Sequence, residues 1–245
     1  MTEALYLENP YARDASARVI SITEEGGIVL DGSVFYPTGG GQPGDSGWLT
    51  WDGNRMPIAT TLKGGGDSIV LVPASPQRLP EPGMHVMQEL DWDRRHRHMR
   101  MHSLLHLLSV VVPFGVTGGQ IGAAQGRLDF DMPDAPEDRD GIEDALRNFI
   151  AADLQISDRW ITQADLAAAP ELIKTMSVKP PSGQAKVRLV QIGSGSAWID
   201  LQPCGGTHVA RTGEIGAIAL GKISKKGRNN RRIYVHLDDN RLGGI

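Results

Sequence analysis

This 245-residue chain predicts an α+β protein, with a small β-barrel-like domain at its amino-terminal end and an α+β domain after it. Three observations carry that prediction. Short alternating runs punctuated by Gly, Asn, Asp and Pro fill residues 1–90, an apolar run with helical spacing follows, and strand-like runs return toward the carboxy-terminal end. Thirty glycines and only 5% aromatic residues fit a chain with many strands and turns.

In the first domain, 1–90, the strand candidates are ARVISI, GIVLDGSVFY, GWLTWDG, RMPIATTL and SIVLVP. PASPQRLPEPG at 73–83, with four prolines, reads as an extended loop closing the unit. In the second domain, 91–245, Leu104, Leu107, Leu108 and Val111 recur at helical spacing until Pro113 and Gly115 stop the helix. Further helices are expected at 139–152 and within 161–175. KVRLVQI, AWIDLQP, EIGAIALGKI and RRIYVHL then return to strand patterns.

The net charge of −4 argues against a globally basic nucleic-acid binder. The charge is unevenly distributed, however. KISKKGRNNRR at 222–232 carries six Lys/Arg and no acid, whereas DFDMPDAPEDRDGIEDA at 129–145 is strongly acidic. The basic run is expected in a turn between two strands, where Lys225, Lys226, Arg228, Arg231 and Arg232 form a local anion-binding face. As a solvated surface the same run would have no partner. The chain start lacks the basic and apolar regions of an export signal, and the longest apolar run is broken by His, Ser and Pro, so a cytoplasmic protein without a membrane span is expected. One cysteine forms no internal disulfide and fits a reducing compartment.

The sole cysteine, Cys204, stands four residues before His208 in QPCGGTHV, and His102 and His106 are likewise four apart in HSLLH. On a helix, positions i and i+4 share a face, so the first pair is able to meet one ion, with the leucines on the opposite side packing into the core. Two glycines let Cys204 and His208 converge on the same point. As separate features these residues read as hydrogen-bonded histidines and a small buried thiol. As two spaced pairs they form an N/S donor set suited to zinc. Familiar zinc enzymes fit poorly: Ser103 stands where a zincin protease has its Glu, and no His-x-Glu or second Cys supports a nucleobase deaminase.

MRMHSLLHLL at 99–108, DLQPCGGTHVARTGEIG at 200–216 and FYPTGGGQPGDSG at 35–47 together resemble the editing domain of alanyl-tRNA synthetases and the freestanding AlaX proteins, in the medium-length form. The resemblance implies a zinc-dependent aminoacyl-tRNA deacylase that removes serine, with glycine as the second candidate, from mischarged alanine tRNA. It implies zinc ligands at His102, His106, Cys204 and His208, and an editing pocket that includes Thr38 and Gln42 of the glycine-rich loop. A synthetase pocket cannot strongly reject an added hydroxyl or a smaller side chain, which is why a second hydrolytic site is needed. Thr38 offers a hydroxyl to pair with a seryl side chain. The chain shows no adenylate-forming core, so action in trans is expected. The alternatives are a non-catalytic tRNA-binding module with structural zinc and an editing hydrolase for another aminoacyl-tRNA.

Overall fold

A computed structural model describes residues 1–173, 186–195 and 197–239. The chain divides into two compact units, Met1–His98 and Met99–Ile245, and the division falls within a helix.

The first unit opens with β1 (Glu3–Ala4) and a single helical turn, α1 (Leu5–Glu8). It continues through β2 (Asp14–Ile22), β3 (Ile28–Leu30), β4 (Gly32–Ser33), β5 (Gly47–Trp51), β6 (Asn54–Lys63), β7 (Ile69–Pro73) and β8 (His85–Leu90). Strands β2-β3-β7-β6-β5-β8 close into a barrel in that order, and β1 pairs with β4 in parallel. Val19, Ile28, Leu30, Leu49, Met56, Ile58, Leu71, Val86 and Leu90 fill the interior. Period-two alternation puts them there, because successive side chains of a strand face opposite sides. The proline-rich segment at 73–83 does not close the unit. β8 follows it and completes the barrel by pairing with β2 and β5. Gln88 at an inward position hides that strand from a purely apolar pattern. Its buried amide is satisfied, accepting from Ser33 Oγ at 3.0 Å and Val34 N at 3.2 Å and donating to Gly32 O at 3.0 Å.

The helix at the division is α2 (Trp92–Val111). The second unit adds β9 (Val116–Gln120), β10 (Gln125–Asp131), α3 (Arg139–Ala151), β11 (Ile156–Thr162) and α4 (Gln163–Ala168). After a 3₁₀ turn at Pro170–Leu172 come β12 (Lys186–Ser194), β13 (Ala197–Pro203), a second 3₁₀ turn at Thr212–Ile215, β14 (Ile218–Gly227) and β15 (Asn230–Leu237). They form two antiparallel sheets, β14-β15-β10-β9 and β11-β12-β13. The helix expected within 161–175 is α4, which begins at Gln163 after the end of β11, and residues 174 and 175 of that stretch lie outside the described ones. Among the described residues no helix is long and apolar enough to cross a membrane.

From Met101 to Ser109, α2 is buried on every side, so the expected split between a leucine face in the core and a histidine face elsewhere is replaced by a fully enclosed helix. Met101 and Leu105 lie over Gly126 of β10, where a Cβ would come within 2.5 Å of the Met101 sulfur. His106 faces β13.

Candidate metal centre

α2 supplies His102 and His106 from successive turns. The loop that follows β13 supplies Cys204 and His208. Their ligand atoms all lie within 4.8 Å of one another. Cys204 Sγ is 3.5 Å from His102 Nε2 and 3.3 Å from His208 Nε2. A tetrahedral zinc ion with Zn–S of about 2.3 Å and Zn–N of about 2.0 Å has S–N edges of about 3.5 Å. The cluster could therefore hold a metal ion.

The surrounding groups orient the imidazoles. His106 Nδ1 lies 2.8 Å from Asp200 Oδ2, and His208 Nδ1 lies 3.1 Å from Ser103 Oγ. With Nε2 as a metal ligand, each Nδ1 carries the proton and donates it, fixing tautomer and ring plane. The Asp200 carboxylate, fully buried, also accepts from Gln202 Nε2 at 2.9 Å. Arg188 of β12 fixes the cysteine loop, donating to the carbonyls of Cys204 at 3.0 Å and Gly206 at 2.9 Å. Cys204 Sγ accepts from Gly206 N at 3.4 Å.

Electrostatics inside the cluster suit a cation. Burial pushes the Cys204 thiol up, but His102 and His208 outweigh it and hold the thiol well below its usual range. Burial pushes His106 down, yet its hydrogen bonds to Asp200 and Cys204 raise it to about 9. Burial and the neighbouring His102 both depress His208. A thiolate beside an imidazolium is the state a metal would replace, releasing the proton.

Ser103, Asp200 and Gln202 were not singled out from the sequence. The signal for two of them was present: Asp200, Gln202 and Cys204 recur with period two on one strand and its exit, which places them on one face.

Thr38 and Gln42 belong to the first unit. Gly39 and Gln42 exchange backbone hydrogen bonds of 3.0 and 2.9 Å around Gly40 and Gly41, whose φ values of 56° and 82° suit a type I′ turn. Backbone conformation explains that glycine pair. Close approach explains Gly44, where a Cβ would lie 2.0 Å from the Thr61 carbonyl oxygen. The Thr38 hydroxyl accepts from Gly44 N at 2.9 Å and donates to Thr61 O at 3.2 Å. Gln42 is buried. Asp45 clamps the loop base by accepting from Tyr36 N at 2.6 Å and pairing with the buried Arg95.

The basic run is not mainly a turn. β14 reaches Gly227 and β15 begins at Asn230, so most of its cations stand on the arms of a hairpin. Arg231 is only 9% exposed and donates to the carbonyls of Pro133, Gly227 and Arg228. Arg232 makes a two-pronged pair with Asp129 at 2.6 and 2.8 Å. Both arginines of the expected anion-binding face are thus engaged by partners within the unit. Lys225, Lys226 and Arg228 are exposed.

The family described as "Threonyl and Alanyl tRNA synthetase second additional domain" matches residues 187–234, and that described as "tRNA synthetases class II (A)" matches 8–94. The chain is 34% identical to the alanyl-tRNA editing protein AlaX-M of Methanosarcina acetivorans, over 98% of this chain and 100% of that protein. It is 32% identical to the AlaX-M of Saccharolobus solfataricus, over 96% and 98%. It is also 33% identical to the alanine–tRNA ligase of Pyrobaculum arsenaticum, over 91% of this chain but 25% of that protein. This chain belongs to the AlaX-M alanyl-tRNA editing protein family.

Proposed function

We propose that this chain is a trans-acting, zinc-dependent aminoacyl-tRNA deacylase that hydrolyses seryl-tRNA(Ala), with glycyl-tRNA(Ala) as a second substrate. The chain is an enzyme, as its family of editing proteins implies. The observation that carries the metal-dependent reading is the convergence of His102, His106, Cys204 and His208 within 4.8 Å, each pair brought in by a different part of the fold. Zinc held there would supply Lewis acidity toward the ester carbonyl. The chain's own residues do the rest of the positioning: Asp200 and Ser103 hold Nδ1 protons, and Arg188 fixes the loop that presents the thiolate.

Selectivity is assigned to Thr38 and Gln42, with the hydroxyl of Thr38 in a narrower role than the sequence suggests. Its proton is already donated to Thr61 O and one lone pair already accepts from Gly44 N. One acceptor position remains, so Thr38 would accept a hydrogen bond from the seryl hydroxyl and donate none. Lys225, Lys226 and Arg228 are assigned to tRNA phosphates. Their joint replacement by Ser should lower the slope of log K against log [salt] by about 0.7–0.9 per lost contact.

Four protein donors make a closed tetrahedral set, the usual form of structural zinc, and that favours a second reading as a tRNA-binding module. One assay separates the two. Zinc-loaded protein is given Ser-, Gly- and Ala-charged alanine tRNA, and ester loss is measured. Hydrolysis of the serine and glycine esters with the alanine ester spared supports the deacylase. Binding without hydrolysis supports the module.

A further inference from the structure

The sheet β11-β12-β13 has two different faces. Ile161, Val187, Leu189 and Leu201 lie on one, packed with Leu166 of α4 and Leu172. The other face carries Asp200 and Gln202, whose side chains meet His106 or its carboxylate partner. Residues paired directly across an antiparallel sheet share a face. Trp160 pairs with Arg188, and Leu189 pairs with Pro203, so the row through Trp160 and Arg188 continues to Cys204, whose amide donates to Arg188 O at 3.2 Å. Trp160 therefore lies on the metal-cluster face, in the same row as a proposed ligand. At roughly 4.8 Å per strand it stands about 10 Å from Cys204.

Trp160 is 47% exposed, unusual for the largest apolar side chain on a strand facing a buried site. Among the described residues β11 is an edge strand of its sheet. Lys186 pairs with Thr162 and shares the parity of Arg188, which puts an exposed cation on the same face one step along. Asp158, two residues before Trp160, joins Asp200 as an acid on this face and lies 3.4 Å from Arg188 Nε. The margin of the cluster face thus combines an open indole with a cation, the pairing that holds single-stranded nucleic acid by base stacking and phosphate attraction.

We infer that Trp160 is a stacking platform for the terminal unpaired base of the tRNA 3′ end, with Lys186 attending its phosphate. The inference rests on the deacylase reading and deepens it by assigning a subsite for the nucleoside. The separation of Trp160 from Cys204 is comparable with the width of one nucleoside, which would let the base rest on the indole while the ester on its ribose lies at the cluster. Trp160 is a positioning residue in this account.

The test compares zinc-loaded wild type with Trp160→Ala, Trp160→Leu and Trp160→Phe in deacylation of seryl-tRNA(Ala). Loss of one stacked base should raise KM roughly 5- to 100-fold in the Ala and Leu variants. kcat should change little, metal content should stay at the wild-type level, and Phe should restore most of the affinity. Leu performing as well as Phe would show that bulk alone is required and overturn the platform, as would an unchanged KM in the Ala variant. A second measurement does not depend on hydrolysis. An uncharged RNA hairpin with a single-stranded 3′ overhang should bind wild type more tightly than a blunt hairpin, and Trp160→Ala should erase that difference. If the wild type discriminates through Trp160 but hydrolyses nothing, the deacylase reading falls and the platform stands. Hydrolysis without any contribution from Trp160 has the reverse meaning.

Discussion

The cysteine loop of the second unit and the glycine loop of the first look alike in sequence, since CGGTH and TGGGQ each set polar side chains around glycines. In the folded units they differ in what those side chains do. At the cysteine loop, Asp200 and Ser103 accept from ring Nδ1 atoms and Arg188 donates to backbone carbonyls, leaving Cys204 Sγ and the Nε2 atoms of His102 and His208 turned toward one another. At the glycine loop, the Thr38 hydroxyl closes the turn on itself, and Asp45 with Arg95 braces its base. One motif presents its donors to a common point; the other uses much of its polar chemistry to hold a shape. Density of polar residues in a motif therefore says little about function until the hydrogen bonds are assigned.

The largest expected effect breaks the first half of this contrast. Cys204→Ala and His106→Ala should each lose bound metal, by elemental analysis, and roughly 100-fold or more of deacylation. Asp200→Asn should retain a site with about 10- to 100-fold weaker metal affinity, as expected when a group that orients a ligand is altered. Full metal occupancy in all three would remove the cluster from the account.

A second prediction concerns pH and the first unit. Burial, helped by Arg94, depresses His98 to about 4 from its ordinary value of 6.5. The unfolded chain therefore binds more protons than the folded one between those values, so stability is full above about pH 6.5 and is lost as pH falls toward 4. The loss amounts to about 3 kcal/mol at most. Urea titrations at pH 7, 5.5 and 4.5 should show this trend, and His98→Gln should flatten it. An equally steep loss in the variant would assign the effect to other groups.

The smallest effect concerns the glycine loop. Thr38→Val deletes a hydroxyl that both braces the turn and has one acceptor position left. Both esters should be hydrolysed more slowly, and the serine-to-glycine rate ratio should fall roughly 5- to 30-fold. Parallel slowing with an unchanged ratio would leave the loop as bracing alone.

The parts of this fold that were legible in the sequence are those in which one pattern dominates. The histidine pair stood out because four-residue spacing survives on a buried helix, and the barrel strands because they alternate. β8 escaped because Gln88 takes an inward place that polar residues rarely occupy, made tolerable by three hydrogen bonds. β10 was hidden within an acidic stretch, although Gly126, Leu128 and Phe130 alternate inward against Arg127 and Asp129. The two strands of the β14 and β15 hairpin follow the strand patterns of EIGAIALGKI and RRIYVHL, but β14 runs on through Lys225 and Lys226 to Gly227, where the basic run predicts a turn. Arg232 pairs with Asp129, 103 residues away, a contact that no local pattern discloses. Ser103 and Asp200 orient their histidines across comparable separations, so only the assembled unit reveals them.

The central claim is that ester hydrolysis requires the ion held by the two spaced pairs. Its most direct test is a single preparation assayed on seryl-tRNA(Ala) before chelation, after chelation and after stoichiometric zinc is returned, with folding monitored by circular dichroism throughout. The account predicts that hydrolysis disappears with the metal, returns with one zinc per chain and does so without refolding of the protein. Undiminished hydrolysis by the metal-free, folded protein would contradict it.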